Sequence, residues 1–152
     1  MISQPRELLL NVFSVSKTID APLDYVYHWC TDFAAVQRAV PTAPRRIVQA
    51  TKNRVVYVEL YEGADGQQRV GVDMVTLKPP ASWHMEYVGE DNDEIGEYRL
   101  KTLGESRTRI DIRFRNKWKG SLSLSTEEKQ KIENDVWDKY RAAIEKDFKQ
   151  RR

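Results

Sequence analysis

The stretch from Arg107 to Lys119 alternates between two kinds of residue without a break. Its even-numbered positions are mostly apolar and include Ile110, Ile112 and Phe114, whereas its odd-numbered positions are charged. A period of two with one charged face is typical of a half-buried antiparallel strand. We therefore predict a strand whose even-numbered side chains point into the protein.

A helical pattern follows this strand and runs nearly to the end of the sequence. Ser125 and Glu128 have the spacing of a capping box at its start. Because an apolar stripe of this length must pack on another element, the predicted sheet is its expected partner. The two patterns together predict a sheet wrapped around a long helix, often with a cavity between them. The stripe recurs every fourth residue at Ile132, Val136, Tyr140, Ile144 and Phe148, with Trp137 beside it.

The rest of the chain predicts a first strand, two short helices and a meander of strands. Strand 9–19 leads through Pro22 into a helix, and a second short helix covers about 33–39. The fold class is therefore α+β, with a curved antiparallel sheet of about seven strands, in one domain spanning 1–152. Turn residues separate the remaining strands, which we predict at 45–51, 54–62, 67–77, 82–89, 94–103 and 107–118.

The register of the hairpins predicts which side chains share the inner face. If Leu103 pairs with Arg107 at the end of the hairpin, the residue numbers of every opposed pair sum to 210. A two-residue turn at Asp65-Gly66 gives sums of 131 for the earlier hairpin. The predicted inner face then consists of Val70, Val72, Met74, Trp83, Met85, Tyr87, Tyr98, Leu100, Ile110, Ile112, Phe114, Asn116 and Trp118.

Strand 54–62 allows two interpretations. The Asp65-Gly66 register turns Tyr57, Glu59 and Tyr61 inward, so that the interior holds a carboxylate and two phenols. Hydrophobicity prefers the reverse, with the odd positions outside, which would require a bulge in the hairpin. We favour the inward carboxylate slightly.

Composition narrows the class of protein. The net charge of +2 gives no argument for a nucleic-acid partner, and the single cysteine, Cys30, excludes an internal disulfide framework. The apolar triplet Leu8 to Leu10 is too short for a signal sequence or a membrane span. We expect a cytoplasmic protein without an integral membrane segment, metal or cofactor; transient membrane contact is compatible with this, and the oligomeric state is open.

Three segments resemble a known superfamily. They are VSKTIDAPLDYVYHWCTDF at 15–33, LKPPASWHMEYVGE at 77–90 and GEYRLKTLGESRTRIDIRFRNKW at 96–118. They resemble the START / birch-pollen-allergen-like superfamily (SRPBCC), in its polyketide cyclase/dehydrase and lipid-transport branch. The resemblance implies a helix-grip fold with a deep cavity for an apolar or aromatic small molecule. It carries over no catalytic residue, because the superfamily has no universal catalytic signature.

Glu59 with Tyr57 and Tyr61 is the main candidate for catalysis. A carboxylate in an apolar cavity would have a raised pKa and could act as a general acid or base, while the phenols could hold an enolate oxygen. The alternative is that Glu59 faces solvent or pairs with a neighbouring cation. Candidate ligand-binding residues are Val72, Met74, Trp83, Met85, Tyr87, Tyr98, Leu100, Ile110, Ile112, Phe114, Asn116, Trp118, Val136, Tyr140 and Ile144.

Four other features have plain explanations. Asp24, His28 and Asp32 have helical spacing that suits a metal site, but they lie opposite the apolar face and indicate a solvated surface. Cys30 on the packed face fits the core better than a nucleophile. Asn116 could orient a ligand or be a satisfied amide. The basic residues from Arg107 to Lys119 have acidic partners across the sheet and indicate a solvated face rather than a phosphate site.

Three functions follow as hypotheses. The first is binding or transport of a hydrophobic small molecule, such as a lipid, quinone or polyketide-like compound. The second is a cofactor-free polyketide cyclase or dehydratase that uses Glu59. The third is a protein-interaction module of the chaperone-activator type, with Val56, Val58 and Leu60 as an exposed strip. A cavity without ionisable groups favours the first, an inward Glu59 beside an open cavity the second, and a filled cavity the third.

Overall fold

The computed structural model describes residues 10–39, 44–63, 65–119 and 123–151. These residues form one sheet, two short helices and one long helix, and the predicted order of elements is confirmed. The bounds of the elements are β1 Leu10–Ile19, α1 Leu23–Thr31, α2 Phe33–Ala39, β2 Arg45–Ala50, β3 Arg54–Glu62, β4 Gln68–Lys78, β5 Ser82–Gly89, β6 Asn92–Thr102, β7 Thr108–Trp118 and α3 Thr126–Gln150.

All seven strands belong to one antiparallel sheet with the order β1-β7-β6-β5-β4-β3-β2. Strands β1 and β2 are therefore the two edges, and helices α1 and α2 connect one edge to the other along the chain. Helix α3 packs across the sheet and contacts β1 most extensively among the strands. The helix-grip fold predicted from the sequence is confirmed.

The β6–β7 hairpin has the predicted register. Glu97 lies opposite Arg113 and Leu100 lies opposite Ile110, as sums of 210 require. The even-numbered side chains of β7 are buried, and the odd-numbered ones are exposed or half-buried. The alternation from Arg107 to Lys119 was therefore sufficient to orient this part of the sheet.

The predicted register of the β3–β4 hairpin is wrong by one residue. Glu62 pairs with Gln68 rather than with Arg69, because the turn holds one residue more than a two-residue loop. The Gly63 amide donates to the Gln67 carbonyl, and Gly66 adopts a φ of 78°, a left-handed conformation that glycine reaches without strain.

This shift reverses the facing of β4 alone. Val70, Val72 and Met74, which we predicted inside, lie on the outer face, and Asp73 and Val75 are buried in their place. In the β4–β5 hairpin, the inward-facing Met85 lies opposite Val75, which was not on the predicted inner face of β4. The register of this hairpin is therefore also shifted by one residue. The two shifts cancel, so β3 and β5 keep their predicted orientation.

Helix α3 begins with the predicted capping box. The Glu128 amide donates to the Ser125 hydroxyl at 3.1 Å, and the Ser125 amide donates to the Glu128 carboxylate at 3.3 Å. Trp137, Tyr140 and Ile144 are buried against the sheet. Ile132, the first residue of the predicted stripe, is instead 45% exposed.

The outer face of the sheet carries several exposed apolar side chains. Leu60 on β3 lies opposite Val70 on β4, and both are close to half exposed. Val56 and Val58 are only partly exposed on the same face. Within the described ranges, no helix is long and apolar enough to cross a membrane.

Candidate functional site

A cavity of about 320 Å³ lies between the concave face of the sheet and α3. Helices α1 and α2 close one side of it with Trp29, Phe33 and Val36. Cys30 on α1 also lines the cavity. The other lining residues come from β2 through β7 and from one face of α3: Arg45, Tyr57, Glu59, Asp73, Trp83, Met85, Tyr87, Asn92, Glu94, Tyr98, Phe114, Lys129, Glu133, Val136, Trp137 and Tyr140.

Aromatic rings form most of the apolar wall of the cavity. Trp83 and Tyr98 stack on neighbouring strands with ring centroids 4.8 Å apart. Trp137 and Tyr140 on α3 contact each other edge to face, with their ring centroids at 4.9 Å. Such pairs hold large rings in fixed positions, so the wall offers preformed flat surfaces to a ligand.

The Tyr87 ring occupies space that two glycines leave open. Gly71 and Gly89 are direct cross-strand partners. A Cβ atom added at Gly71 would lie 2.3 Å from the Tyr87 ring, and one added at Gly89 would lie 2.4 Å from the Tyr87 hydroxyl. The two glycines therefore set the position of this phenol in the cavity wall.

The first polar group of the cavity is formed by β2, β3 and β4. Tyr57 and Asp73 are cross-strand partners, and Glu59 follows Tyr57 on the same inner face. Arg45 on the edge strand donates from Nε to Glu59 Oε1 at 2.8 Å, and its guanidinium lies 5.0 Å from the centre of the Tyr57 ring. Glu59 is thus directed inward, and it pairs with a cation there.

Asp73 is the most perturbed acid of this group. It is only 3% exposed, and its Oδ2 atom has no hydrogen-bond partner among the described residues. Burial, together with the charge of the neighbouring Glu59 carboxylate and a hydrogen bond to it, raises the pKa of Asp73 to about 8, against the opposing effects of Arg45 and Tyr57. At neutral pH this side chain is therefore mostly a protonated acid that can give up its proton.

The second polar group is formed by β6 and α3. Lys129 is buried, and its Nζ atom lies 2.9 Å from Glu94 Oε2. Glu133, one helical turn further on, has a pKa raised to about 7 by burial and by the Glu94 charge, while Lys129 lowers it. The cavity therefore has a second carboxyl group that titrates near neutral pH.

Asn116 and Trp118 belong to a hydrogen-bond network at the end of the sheet. Trp118 Nε1 donates to Asn11 Oδ1 at 2.6 Å, and Asn92 Nδ2 donates to the Asn116 side chain at 2.6 Å. Asn116 is fully buried and does not line the cavity. Of the two interpretations of Asn116, the structure supports the satisfied amide.

The other sequence-predicted residues fall into four groups by position; their roles stay predictions. Tyr61 lies beside Tyr87, with its hydroxyl 3.4 Å from Asp91. Val72 and Met74 lie outside, as described above. Leu100, Ile110, Ile112 and Ile144 are buried in the core without lining the cavity. Those that do line it are Tyr57, Glu59, Trp83, Met85, Tyr87, Tyr98, Phe114, Val136 and Tyr140.

Five charged residues of the cavity were not predicted from the sequence. Lys129 and Glu133 precede Trp137 at intervals of four residues, so their helical spacing was a usable signal. Asp73 would have been found with the correct β3–β4 register. Arg45 and Glu94 had no comparable signal, since only the folded sheet brings them to the cavity.

Two other candidates also have defined positions. Cys30 is buried in the cavity wall, and burial raises the pKa of its thiol, which disfavours the nucleophilic thiolate. His28 is exposed, and its Nδ1 atom lies 2.7 Å from the Asp24 carbonyl oxygen. In the part of the chain that the structure describes, no cluster of side chains is arranged to hold a metal.

Comparison with known proteins shows similarity at the level of structure. No family model and no curated protein matches the sequence. The ZhuI aromatase/cyclase from Streptomyces sp. R1128 superposes with a TM-score of 0.70 at 16% identity, covering 93% of this chain and 95% of that one. A START superfamily protein from Mycobacterium smegmatis gives 0.67 at 15% identity, with coverages of 93% and 99%.

A third similar structure is Ara h 8.0201, with a TM-score of 0.69 at 14% identity and coverages of 93% and 99%. The three matches extend over nearly the whole of each chain, so the likeness concerns the complete arrangement of sheet and helices. The protein therefore has the helix-grip fold that these three structures share.

Proposed function

We propose that the protein binds a small, largely apolar molecule in the cavity between the sheet and α3. The observation that carries this proposal is the cavity itself, which has a volume of about 320 Å³ and an apolar wall made mostly of aromatic rings. This volume is within the range of small-molecule sites. Burial of a ligand there contributes roughly 25 cal/mol for each Å² of apolar surface removed from water.

Filling the cavity should abolish this binding. In the variant Val136→Trp, an indole would occupy space at the cavity wall, and we expect the affinity for the neutral dye prodan to fall about ten-fold or more, since a cavity of this size cannot hold both rings. Fluorescence titration measures the affinity. The control Ile132→Trp adds the same ring on the exposed side of α3 and should bind the dye normally. Equal binding by the two folded variants would contradict the proposal.

Acid–base catalysis is the second candidate function, and Asp73 is the observation that favours it. A carboxyl group with a pKa near 8 in an apolar cavity suits proton transfer at neutral pH. In a cyclase or dehydratase, the ionised carboxylate would take a proton from carbon next to a carbonyl group. The Tyr57 hydroxyl or Arg45 would hold the resulting enolate oxygen. Glu59, our predicted base, would then orient Arg45 through their ion pair.

Deuterium exchange would test this candidate without knowledge of the substrate. The probe is 2-tetralone, an apolar ketone whose α-protons exchange with D₂O after enolisation, and NMR follows the rate. We expect Asp73→Asn to slow the protein-catalysed exchange by about 10² or more, with probe affinity changed by only a few fold. The variant Glu59→Gln tests whether the second carboxylate is also required. If exchange is lost in this variant as well, both carboxylates are needed. Unchanged exchange in Asp73→Asn would reject catalysis by this residue and leave the binding proposal intact.

The interaction-module hypothesis stays a prediction. It is supported by the exposed Leu60, Val70 and Val88 on the outer face of the sheet. The cavity is not filled by side chains, so it does not meet our criterion for an interaction module. Its ionisable groups and the inward Glu59 meet our criterion for catalysis, and ligand binding is the more general function that a catalytic site also requires.

A further inference from the structure

The cavity contains more acidic than basic side chains. Within the described ranges, its lining contains four carboxyl groups and only two cationic side chains. Arg45 is paired with Glu59 at 2.8 Å, and Lys129 is paired with Glu94 at 2.9 Å. Both cations are therefore committed to one carboxylate each. The two remaining acids are Asp73 and Glu133.

Asp73 differs from Glu133 in the depth of its burial. Its side chain is almost completely buried, and Oδ2 forms no hydrogen bond within the described part of the protein. Buried polar atoms in folded proteins nearly always have a partner. Because Asp73 also lines the cavity, a donor group of the ligand can supply the missing bond.

The surroundings of Asp73 decide the charge of that donor. Asp73 is mostly neutral at pH 7 in the empty cavity because its pKa is about 8, so it can offer a neutral ligand a hydrogen bond but no charge attraction. A cation would reverse this balance, since it stabilises the carboxylate and displaces the proton. The titratable groups that act on Asp73 are Arg45 from β2, Tyr57 and Glu59 from β3, and Tyr87 from β5. Tyr140 on α3 adjoins Arg45 and Tyr57.

The aromatic wall suits the same kind of ligand. Tyr57 is the cross-strand partner of Asp73, and Trp83, Tyr98, Trp137 and Tyr140 belong to the same cavity wall. The face of an aromatic ring attracts an ammonium group and also packs against apolar rings. A molecule with an aromatic body and one basic nitrogen can therefore satisfy both surfaces of the cavity.

We propose that the ligand belongs to the class of aromatic amines with a basic nitrogen, bound as the cation with its ammonium group on Asp73. This inference rests on the proposed binding function and narrows its ligand class. The ammonium group keeps its protons and donates one hydrogen bond to Asp73 Oδ2. The proton of the Asp73 carboxyl group leaves to the buffer, so binding below pH 8 releases about one proton per ligand.

Three matched naphthalene compounds test this inference at pH 7. They are naphthalen-2-ylmethanamine, naphthalen-2-ylmethanol and 2-naphthoate, which present a cation, a neutral hydroxyl and an anion on the same ring system. Isothermal titration in phosphate and in Tris gives both the affinity and the number of protons released. We expect the amine to bind about ten-fold tighter than the alcohol or more, with release of about one proton, and the naphthoate to bind most weakly.

The variant Asp73→Asn locates the effect. It should lose both the amine preference and the proton release, while its affinity for the alcohol stays within about two-fold. Asp111→Asn makes the same chemical change on the outer face of the sheet and should behave as wild type. An amine that binds no tighter than the alcohol, or a preference that survives in Asp73→Asn, overturns the inference. Absence of binding by all three compounds would instead count against the proposed function.

Discussion

Replacing Asp73 with asparagine will make the protein less sensitive to alkaline pH. Burial raises the folded-state pKa of Asp73 to about 8, whereas an unfolded aspartate titrates near pH 3.9. The folded state therefore binds the Asp73 proton more tightly than the unfolded state does. The stability linked to this proton is fully present below about pH 4 and is lost as the pH rises toward 8.

The expected loss is on the order of 5 kcal/mol between these limits. Asparagine does not titrate, so the variant keeps its stability over the same range. Urea unfolding of both proteins at pH 4.5, 6, 7.5 and 9 gives the free energy of unfolding at each pH. The free energy of unfolding of the variant should exceed that of the wild type by an increasing amount as the pH increases.

Asp111→Asn is the control for this measurement, because it removes a carboxylate that is not deeply buried. Its free energy of unfolding should follow that of the wild type across the pH range. Parallel curves for Asp73→Asn and the wild type would mean that Asp73 ionises in the folded protein much as it does in the unfolded chain. That result would contradict both its role as a proton donor near pH 7 and the proton release expected on amine binding.

Ile144→Ala should destabilise the protein by about 2–5 kcal/mol. Ile144 is completely buried between α3 and the sheet and does not line the cavity. Truncation therefore removes packing contacts in the solid core and leaves a void there. Urea unfolding measures the loss, and dye titration of the folded variant should give the affinity of the wild type.

Val136→Ala is the matched comparison on the same helix. Val136 is partly exposed and lines the cavity, so its truncation should cost about 1 kcal/mol or less and enlarge the cavity. We expect a change in dye affinity with this variant and little change in stability. The reverse pattern, with the affinity altered by Ile144→Ala and not by Val136→Ala, would show that the cavity lies elsewhere along α3.

The sequence predicted the elements and most of the inner face because alternation and helical spacing are local patterns. The β6–β7 register followed from one correct loop length, and the facing of β7 followed from its charges alone. The error at β4 also came from a loop length, since a two-residue turn at Asp65-Gly66 was a reasonable expectation. One extra residue moved Val72 and Met74 outside and brought Asp73 in.

The candidate site was less predictable than the fold, for a physical reason. The sequence pointed to Glu59, and the structure does bring it to the cavity, but in an ion pair with Arg45 from another strand. The acid with the raised pKa is Asp73, whose environment is created by several strands and by α3 together. Likewise, periodicity placed Val136 and Ile144 on one stripe and could not tell which of them borders a void.

The order of the strands also has a consequence for how the chain folds. Among the described strands, β1 pairs only with β7, so Leu10 reaches Lys117 across most of the described chain. During synthesis the meander from β2 to β6 can form its local hairpins, whereas β1, with Phe13 and Val15, cannot pair until β7 has been synthesised. Contacts this distant in sequence raise the entropic cost of the folding transition state. Closure of β1 onto β7, with α3 over both, is therefore expected to be the slow step that creates the cavity.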